Sequence, residues 1–254
     1  MSRRADFRSR LRAGQRLIGT FIRTPASVIV EIAADTGLDF GILDAEHAPF
    51  DPQTLDQCLM VGLLKDFPLL VRIPALDHAA IGSVLDMGAS GIVVPHIRNA
   101  GEARRAVDAA VYNHGSRGIS GSHRAAGYGH SNLVEWAREA DEATVIIGQL
   151  EDAEALSEID AIAAIDRIDC LFIGRADLML SLRETDPHSD RVNAAVATFA
   201  KAARGAGRSL GTFVVPEQIV AHFQNGFSLL TAGTDQSLLK RAMGTVAETA
   251  RGAD

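Results

Sequence analysis

The chain has 254 residues, 47% of them hydrophobic, and a formal charge of −7. That length can bury the core of one large α/β domain, and an acidic chain offers no basic field to a phosphate backbone, so nucleic acid is not an expected partner. Its two cysteines, Cys58 and Cys170, sit in apolar contexts without metal-type or redox-type spacing; they read as reduced core residues of a cytoplasmic protein, and no window reaches the roughly 18 to 20 apolar residues of a membrane span.

The opening MSRRADFRSRLRAG is basic and lacks the apolar stretch of a signal peptide. From there, short apolar runs alternate with longer stretches rich in Ala and Glu, at intervals suited to βα units. The predicted strands are RLIGTFI (16–22), DFGILDA (39–45), LLVRI (69–73), GIVVP (91–95), TVIIGQL (144–150), DCLFIG (169–174), SLGTFV (209–214) and SLLTAG (228–233). Helices are predicted over 27–36, 53–64, 77–87, 99–111, 132–142, 152–164, 188–205, 216–225 and 235–248. Pro25, Asp51, Asp77 and Asn99 mark helix starts, and Gly37, Gly88 and Gly226 mark stops. Continuous apolar strands separated by helices specify a parallel sheet covered by helices. Eight such repeats in this length predict a (β/α)8 TIM barrel, one domain over 1–254. The longest irregular stretch, YNHGSRGISGSHRAAGYGHSN (112–132), is Gly-rich and polar and is expected to rise beside the C-terminal edge of the sheet.

Parallel-sheet proteins build their sites where strands end, so the polar groups that follow each apolar run are the candidates. Asp44, Glu46 and His47 follow the second run, Arg72 lies within the third, Gln149 and Glu151 close the fifth, and Arg175 and Asp177 follow the sixth. Glu151 and Asp177 suit Mg²⁺ or Mn²⁺, which are commonly held by two carboxylates with water and substrate oxygens completing the shell. They equally suit a helix N-terminal acid and a loop residue. Histidine is the side chain suited to general-base work near neutral pH, so His47 could take that role and Asp44 could orient its ring or raise its basicity; the alternative is a rim histidine beside a turn cap. Arg72 must find anions within its apolar strand, either a substrate carboxylate or enolate oxygen or one of the neighbouring acids. Only three lysines occur, Lys65, Lys201 and Lys240, none at a strand end, so a Schiff-base mechanism has no nucleophile. No GxxxxGK and no strand-to-helix GxGxxG marks a nucleotide site.

These blocks, in this order, resemble the HpcH/HpaI aldolases, which are metal-dependent class II pyruvate aldolases. GTFIRTPASVIVEIAADTGLDFGILDAEHAPF, VRIP, LDMGASGIVVPHI, SRG, GQLE and FIGRADL carry the resemblance over nearly the whole chain. It implies His47 as catalytic base with Asp44 as its hydrogen-bond partner, and Arg72 as the residue that binds pyruvate and stabilises its enolate. It further implies Gln149 as a pyruvyl contact, Glu151 and Asp177 as ligands of a divalent cation (Mg²⁺ or Mn²⁺, with Co²⁺ a further candidate), and contacts to the substrate carboxylate from Gly174, Ala176 and Asp177. Asp86, in LDMGA, matches an acid near a subunit contact. The implied reaction is reversible cleavage of a 4-hydroxy-2-oxo acid to pyruvate, or a related 2-oxo acid, and an aldehyde. The rival readings are a CoA-thioester lyase of the citrate lyase beta type, an oxaloacetate decarboxylase, and a non-catalytic oxo-acid-binding relative. The resemblance also implies a homo-oligomer, hexamers favoured, with the C-terminal helix on a neighbouring subunit. The chain departs from the family pattern at Arg175, where proline is usual, and at Asp152, where threonine is usual, so the family's substrate preferences do not transfer with the fold.

Overall fold

The computed structural model describes residues 2–252. Eight parallel strands close into a barrel in chain order: β1 (Leu17–Ile22), β2 (Phe40–Asp44), β3 (Leu69–Arg72), β4 (Gly91–Val94), β5 (Val145–Leu150), β6 (Cys170–Ile173), β7 (Ser209–Val214) and β8 (Leu229–Thr234). Closure comes from β1 pairing with β8, with a register shift between Gly19 and Phe21. The early helices are α1 (Arg3–Arg12), α2 (Ser27–Ala34), α3 (Pro52–Leu64), α4 (His78–Asp86), α5 (Ala100–Ala110) and α6 (Leu133–Ala143). The later ones are α7 (Ala155–Ala163), α8 (Arg175–Ser181), α9 (Asp190–Gly205), α10 (Ile219–Gln224) and α11 (Asp235–Arg251). The eight-stranded barrel predicted from the apolar repeats is therefore the fold.

Local chemistry fixes the helix ends. The side chains of Asp51, Asp77 and Asn99 accept hydrogen bonds from the N–H groups of Thr54 (2.7 Å), Ala80 (2.7 Å) and Glu102 (2.9 Å), capping α3, α4 and α5. Gly37, Gly88 and Gly226 adopt φ of +84°, +103° and +86° where α2, α4 and α10 give way.

The two-residue period of the strands explains where the site falls. Leu43, Val71, Ile146 and Leu171 face outward and pack beneath the helices. Phe40 and Ile42, Leu70, Val145 and Ile147, and Cys170 and Phe172 face inward and fill the barrel. Continuing the same alternation puts Asp44, Arg72, Gln149 and Gly174 in the next inward layer, at the C-terminal mouth. On these four strands polar residues and a glycine thus replace the apolar filling in the layer nearest the mouth.

Helix α1, which the sequence does not signal, closes the opposite end. Phe7 and Leu11 are fully buried and join the inner core. On the same helix, Arg8 Nε donates to Asp169 Oδ1 at 2.9 Å, and Asp169 Oδ2 accepts from the Ile146 N–H at 3.0 Å.

The 112–132 stretch corrects the expectation made for it. Rather than rising beside the C-terminal edge, it lies along α4. His78 Nε2 meets the Ser116 carbonyl at 3.1 Å, Arg117 Nη2 donates to Asp86 Oδ1 at 2.7 Å, and Arg124 Nη1 reaches the Met87 carbonyl at 3.2 Å. Arg124 also pairs with Asp56 on α3. The two arginines find their counter-ions on the barrel's flank, and those pairs hold the segment there.

Candidate active site

Asp44 is fully buried and organises the floor of the site. Arg72 grips it with two bonds, Nε to Oδ1 at 2.9 Å and Nη2 to Oδ2 at 2.7 Å, and Arg23 Nε adds a third to Oδ2 at 2.7 Å. Burial alone would push this carboxyl up, but the hydrogen bond and charge of Arg72, with Arg23 and the His47 N–H, outweigh it and hold Asp44 below the ordinary carboxylate range. The Arg72 guanidinium also lies over the Phe21 ring, 4.7 Å from its centroid. Two forked bonds and a stacked ring fix its plane, and Nη1 has no protein acceptor among the described residues.

The expected bond between Asp44 and the His47 ring is not formed. Asp44 Oδ1 accepts from the His47 backbone N–H at 3.2 Å instead, so it fixes the turn that carries the histidine. A three-residue spacing at a strand end closes an Asx-type turn, and Arg72 and Arg23 take the rest of the carboxylate. The half-exposed His47 ring has Glu46 for its acid, with Nε2 3.7 Å from Oε2.

Across the mouth, Glu151 is 1% exposed. Its Oε1 accepts from the His96 N–H at 3.0 Å, and its Oε2 accepts from the Gln149 amide. Burial pushes the Glu151 carboxyl up, the Gln149 and His96 bonds oppose this, and Asp177 adds a like charge. Gly174 is required at this point because a Cβ there would collide with Glu151 Oε2 and press on Gln149 Nε2 at 3.3 Å. His96 follows β4 with φ +55° and places Nδ1 3.0 Å from Asp152 Oδ2 and Nε2 3.7 Å from Glu46 Oε1. Burial would lower its pKa, but the bond to Asp152 and the charges of Glu151, Asp152 and Glu46 raise it.

A cavity of about 450 Å³ opens over these groups. His47, Arg72, Gln149, Gly174, Ala176 and Asp177 line it, whereas Asp44 and Glu151 are buried and do not line it. Arg23 and Arg175 complete its charged lining, and burial pushes the Arg175 guanidinium down. The fold therefore brings the residues selected at the ends of β2, β3, β5 and β6 to one mouth, some as lining and some as support, whereas Asp86 pairs with Arg117 on the flank. Sequence reasoning missed Arg23, His96 and the bridging position of Glu46. His96 obeys the rule that found the others, since it comes two residues after the apolar end of β4, but Pro95 intervenes. Arg23 directly follows β1 and carried the same signal.

The donor set fits a hard divalent cation. Glu151 supplies a buried carboxylate, Asp177 a second acid in electrostatic reach of it, and Gln149 Oε1 is a buried oxygen without a hydrogen-bond donor. Among the described residues no group of three or more His, Cys, Asp or Glu side chains is arranged to enclose a metal. Two acids with open positions are what a cation shared with substrate requires.

A closed parallel barrel with acids, an arginine and a histidine at its C-terminal mouth defines an enzyme of the TIM-barrel class. The chain belongs to the HpcH/HpaI aldolase/citrate lyase family, whose model matches residues 17–242, and it is an enzyme of the carbon–carbon lyase type. It is 33% identical over 246 residues to a 4-hydroxy-2-oxovalerate aldolase of Rhodococcus jostii, covering 95% of this chain and 94% of that protein. It is also 33% identical over 242 residues to a hydroxypyruvate/pyruvate aldolase of Pseudomonas aeruginosa, covering 93% and 89%. The crystal structure of a family member from Burkholderia cenocepacia superposes with a TM-score of 0.92 at 29% identity, covering 97% of this chain and 99% of that one.

Proposed function

We propose that the protein is a divalent-cation-dependent aldolase that reversibly cleaves a 4-hydroxy-2-oxo acid into pyruvate, or a close 2-oxo acid, and an aldehyde. The observation that carries this reading is Arg72, a guanidinium locked by Asp44 in the inward layer and presented to the cavity beside His47. Such a preorganised cation stabilises negative charge developing on a substrate oxygen without reorganising during the reaction.

Glu151 and Asp177 would hold the cation, Mg²⁺ or Mn²⁺, which when bound supplies a Lewis acid toward the 2-oxo acid head. The remaining work belongs to the chain. Arg72 Nη1 donates to the substrate's 2-oxo oxygen. The Gln149 amide and the backbone at Gly174 and Ala176 orient the pyruvyl end. His47 takes the proton from the C4 hydroxyl as the C3–C4 bond breaks. Arg72 then offsets the charge left on the enolate oxygen until C3 is protonated. Synthesis follows the same path backward. Glu46 lies between the two imidazoles and Arg72, with Oε2 3.2 Å from Arg72 Nε and 3.7 Å from His47 Nε2, and would orient the His47 ring.

A homo-oligomer belongs to the same proposal. Leu239, Met243 and Val246 form a stripe on α11 and are 52%, 63% and 71% exposed, a pattern that suits a helix resting on a neighbouring subunit.

The direct test is aldol cleavage and synthesis with pyruvate as product or donor, measured with Mg²⁺ or Mn²⁺ and with chelator. Turnover is expected to need the added cation and to disappear in Glu151→Gln. Full activity of that variant in chelator would overturn the assignment.

A further inference from the structure

Among the described residues Arg175 is a charge without an acidic partner. It opens α8, is half-buried, and lines the cavity together with Arg23 and Arg72. Arg23 and Arg72 are both matched by Asp44. Arg175 forms no ion pair among the described residues. Its Nη1 donates to the Pro187 carbonyl at 2.7 Å and to Asn193 Oδ1 at 2.8 Å, and Asn193 Nδ2 in turn donates to the His188 carbonyl at 2.7 Å. These neutral contacts brace one nitrogen and leave Nε and Nη2 without a protein acceptor among the described residues. A guanidinium cannot shed its proton, so withdrawing it from water without an acid carries a cost that an incoming anion would offset.

The position of the group indicates which part of a substrate it meets. In the aldolase reading the oxo-acid head is held from β3, β5, the acids at 151 and 177 and the backbone of Gly174 and Ala176, which flank Arg175. Arg175 turns instead toward the 187–193 segment, on the side of the cavity walled by Phe213 and Val215, which are each 44% exposed. An apolar wall leading to a braced, unmatched cation is a site for a short carbon chain ending in an anion.

Resting on the aldolase reading above, we infer that Arg175 selects substrates whose aldehyde-derived end carries a carboxylate or phosphate. The guanidinium forms a charge-assisted pair with that group while the chain between lies along Phe213 and Val215.

The test compares kcat/KM for aldol addition of pyruvate to matched aldehydes, succinic semialdehyde against butanal and glyceraldehyde 3-phosphate against glyceraldehyde. The parent protein is expected to favour the anionic member of at least one pair, and the pair that shows it separates carboxylate from phosphate. Arg175→Gln is expected to reduce that anionic-to-neutral ratio about 10- to 100-fold, mainly through KM, and Arg175→Lys to retain part of it. A parent protein without the preference, or a ratio unchanged in Arg175→Gln, overturns the inference while leaving the aldolase reading intact. If no aldehyde turns over, the aldolase reading fails and calorimetry with glutarate and with inorganic phosphate decides the role of Arg175. Binding to the parent that is lost in Arg175→Gln and kept in Arg175→Lys supports the anion site, and equal behaviour of parent and Arg175→Gln overturns it.

Discussion

At the scale of single residues, the Asp44–Arg72 pair determines both shape and chemistry. Arg72→Lys would keep a positive charge but lose the fork that fits a carboxylate, so kcat is expected to fall about 100-fold in a protein that still folds. Steady-state kinetics beside a thermal melt measures this, and near-parental kcat would contradict it. Asp44 also makes acid stability dependent on one buried group. Its folded carboxyl is depressed, so its stabilising contribution is complete above the unfolded value of about 3.9 and fades as pH falls from there through the lower folded value. Urea midpoints measured from pH 5 downward should therefore drop more steeply for the parent than for Asp44→Asn, and parallel curves would refute the assignment. These residues were legible in the sequence because a charge at an inward position of an apolar strand must face either a pocket or a buried counter-ion. The direction of the Asp44 bond was not legible, since a three-residue spacing serves a side-chain contact and a backbone turn equally well. His96 and Arg23 carried the same strand-end signal, but each sits inside a longer family block whose neighbouring residues dominate the pattern.

At the scale of elements, eight strands were visible because a parallel sheet covered by helices is apolar on both faces, and its runs stand out against polar helices. Helix α1 was not, because five of its ten residues are arginine and only Phe7 and Leu11, four apart, mark a buried face. The structure nevertheless makes that pair the lower plug of the barrel. Phe7→Ala is expected to cost about 3 to 5 kcal/mol as the inner core opens a cavity, with Tm lower by about 6 to 20 °C. Calorimetry reads the shift, and an unchanged Tm would show that the plug is dispensable. The 112–132 segment was misplaced for a different reason. Composition identified it as irregular, but its path depends on which acids its arginines meet, and Asp56 and Asp86 are distant in sequence and close only after α3 and α4 have docked. Helix α8 was hidden in the stretch after β6 because its seven residues are too few to show a period.

At the scale of the whole molecule, barrel closure turns separate strand ends into one pocket. The alternation that fills the interior with Phe40, Ile42, Leu70, Ile147 and Phe172 also lifts Asp44, Arg72 and Gln149 to the mouth, so stability and chemistry share one register. The same closure leaves the apolar stripe of α11 outside, where a neighbouring subunit would cover it. In the proposed reaction this mouth gathers a cation and a 2-oxo acid between Glu151, Asp177 and Arg72. Anomalous diffraction from crystals soaked with Mn²⁺ and pyruvate tests it most directly. One manganese peak is expected beside the Glu151 and Asp177 carboxylates, with pyruvate next to it and its keto oxygen within hydrogen-bond distance of Arg72. Manganese bound away from both acids, or pyruvate seated out of reach of Arg72, would contradict it.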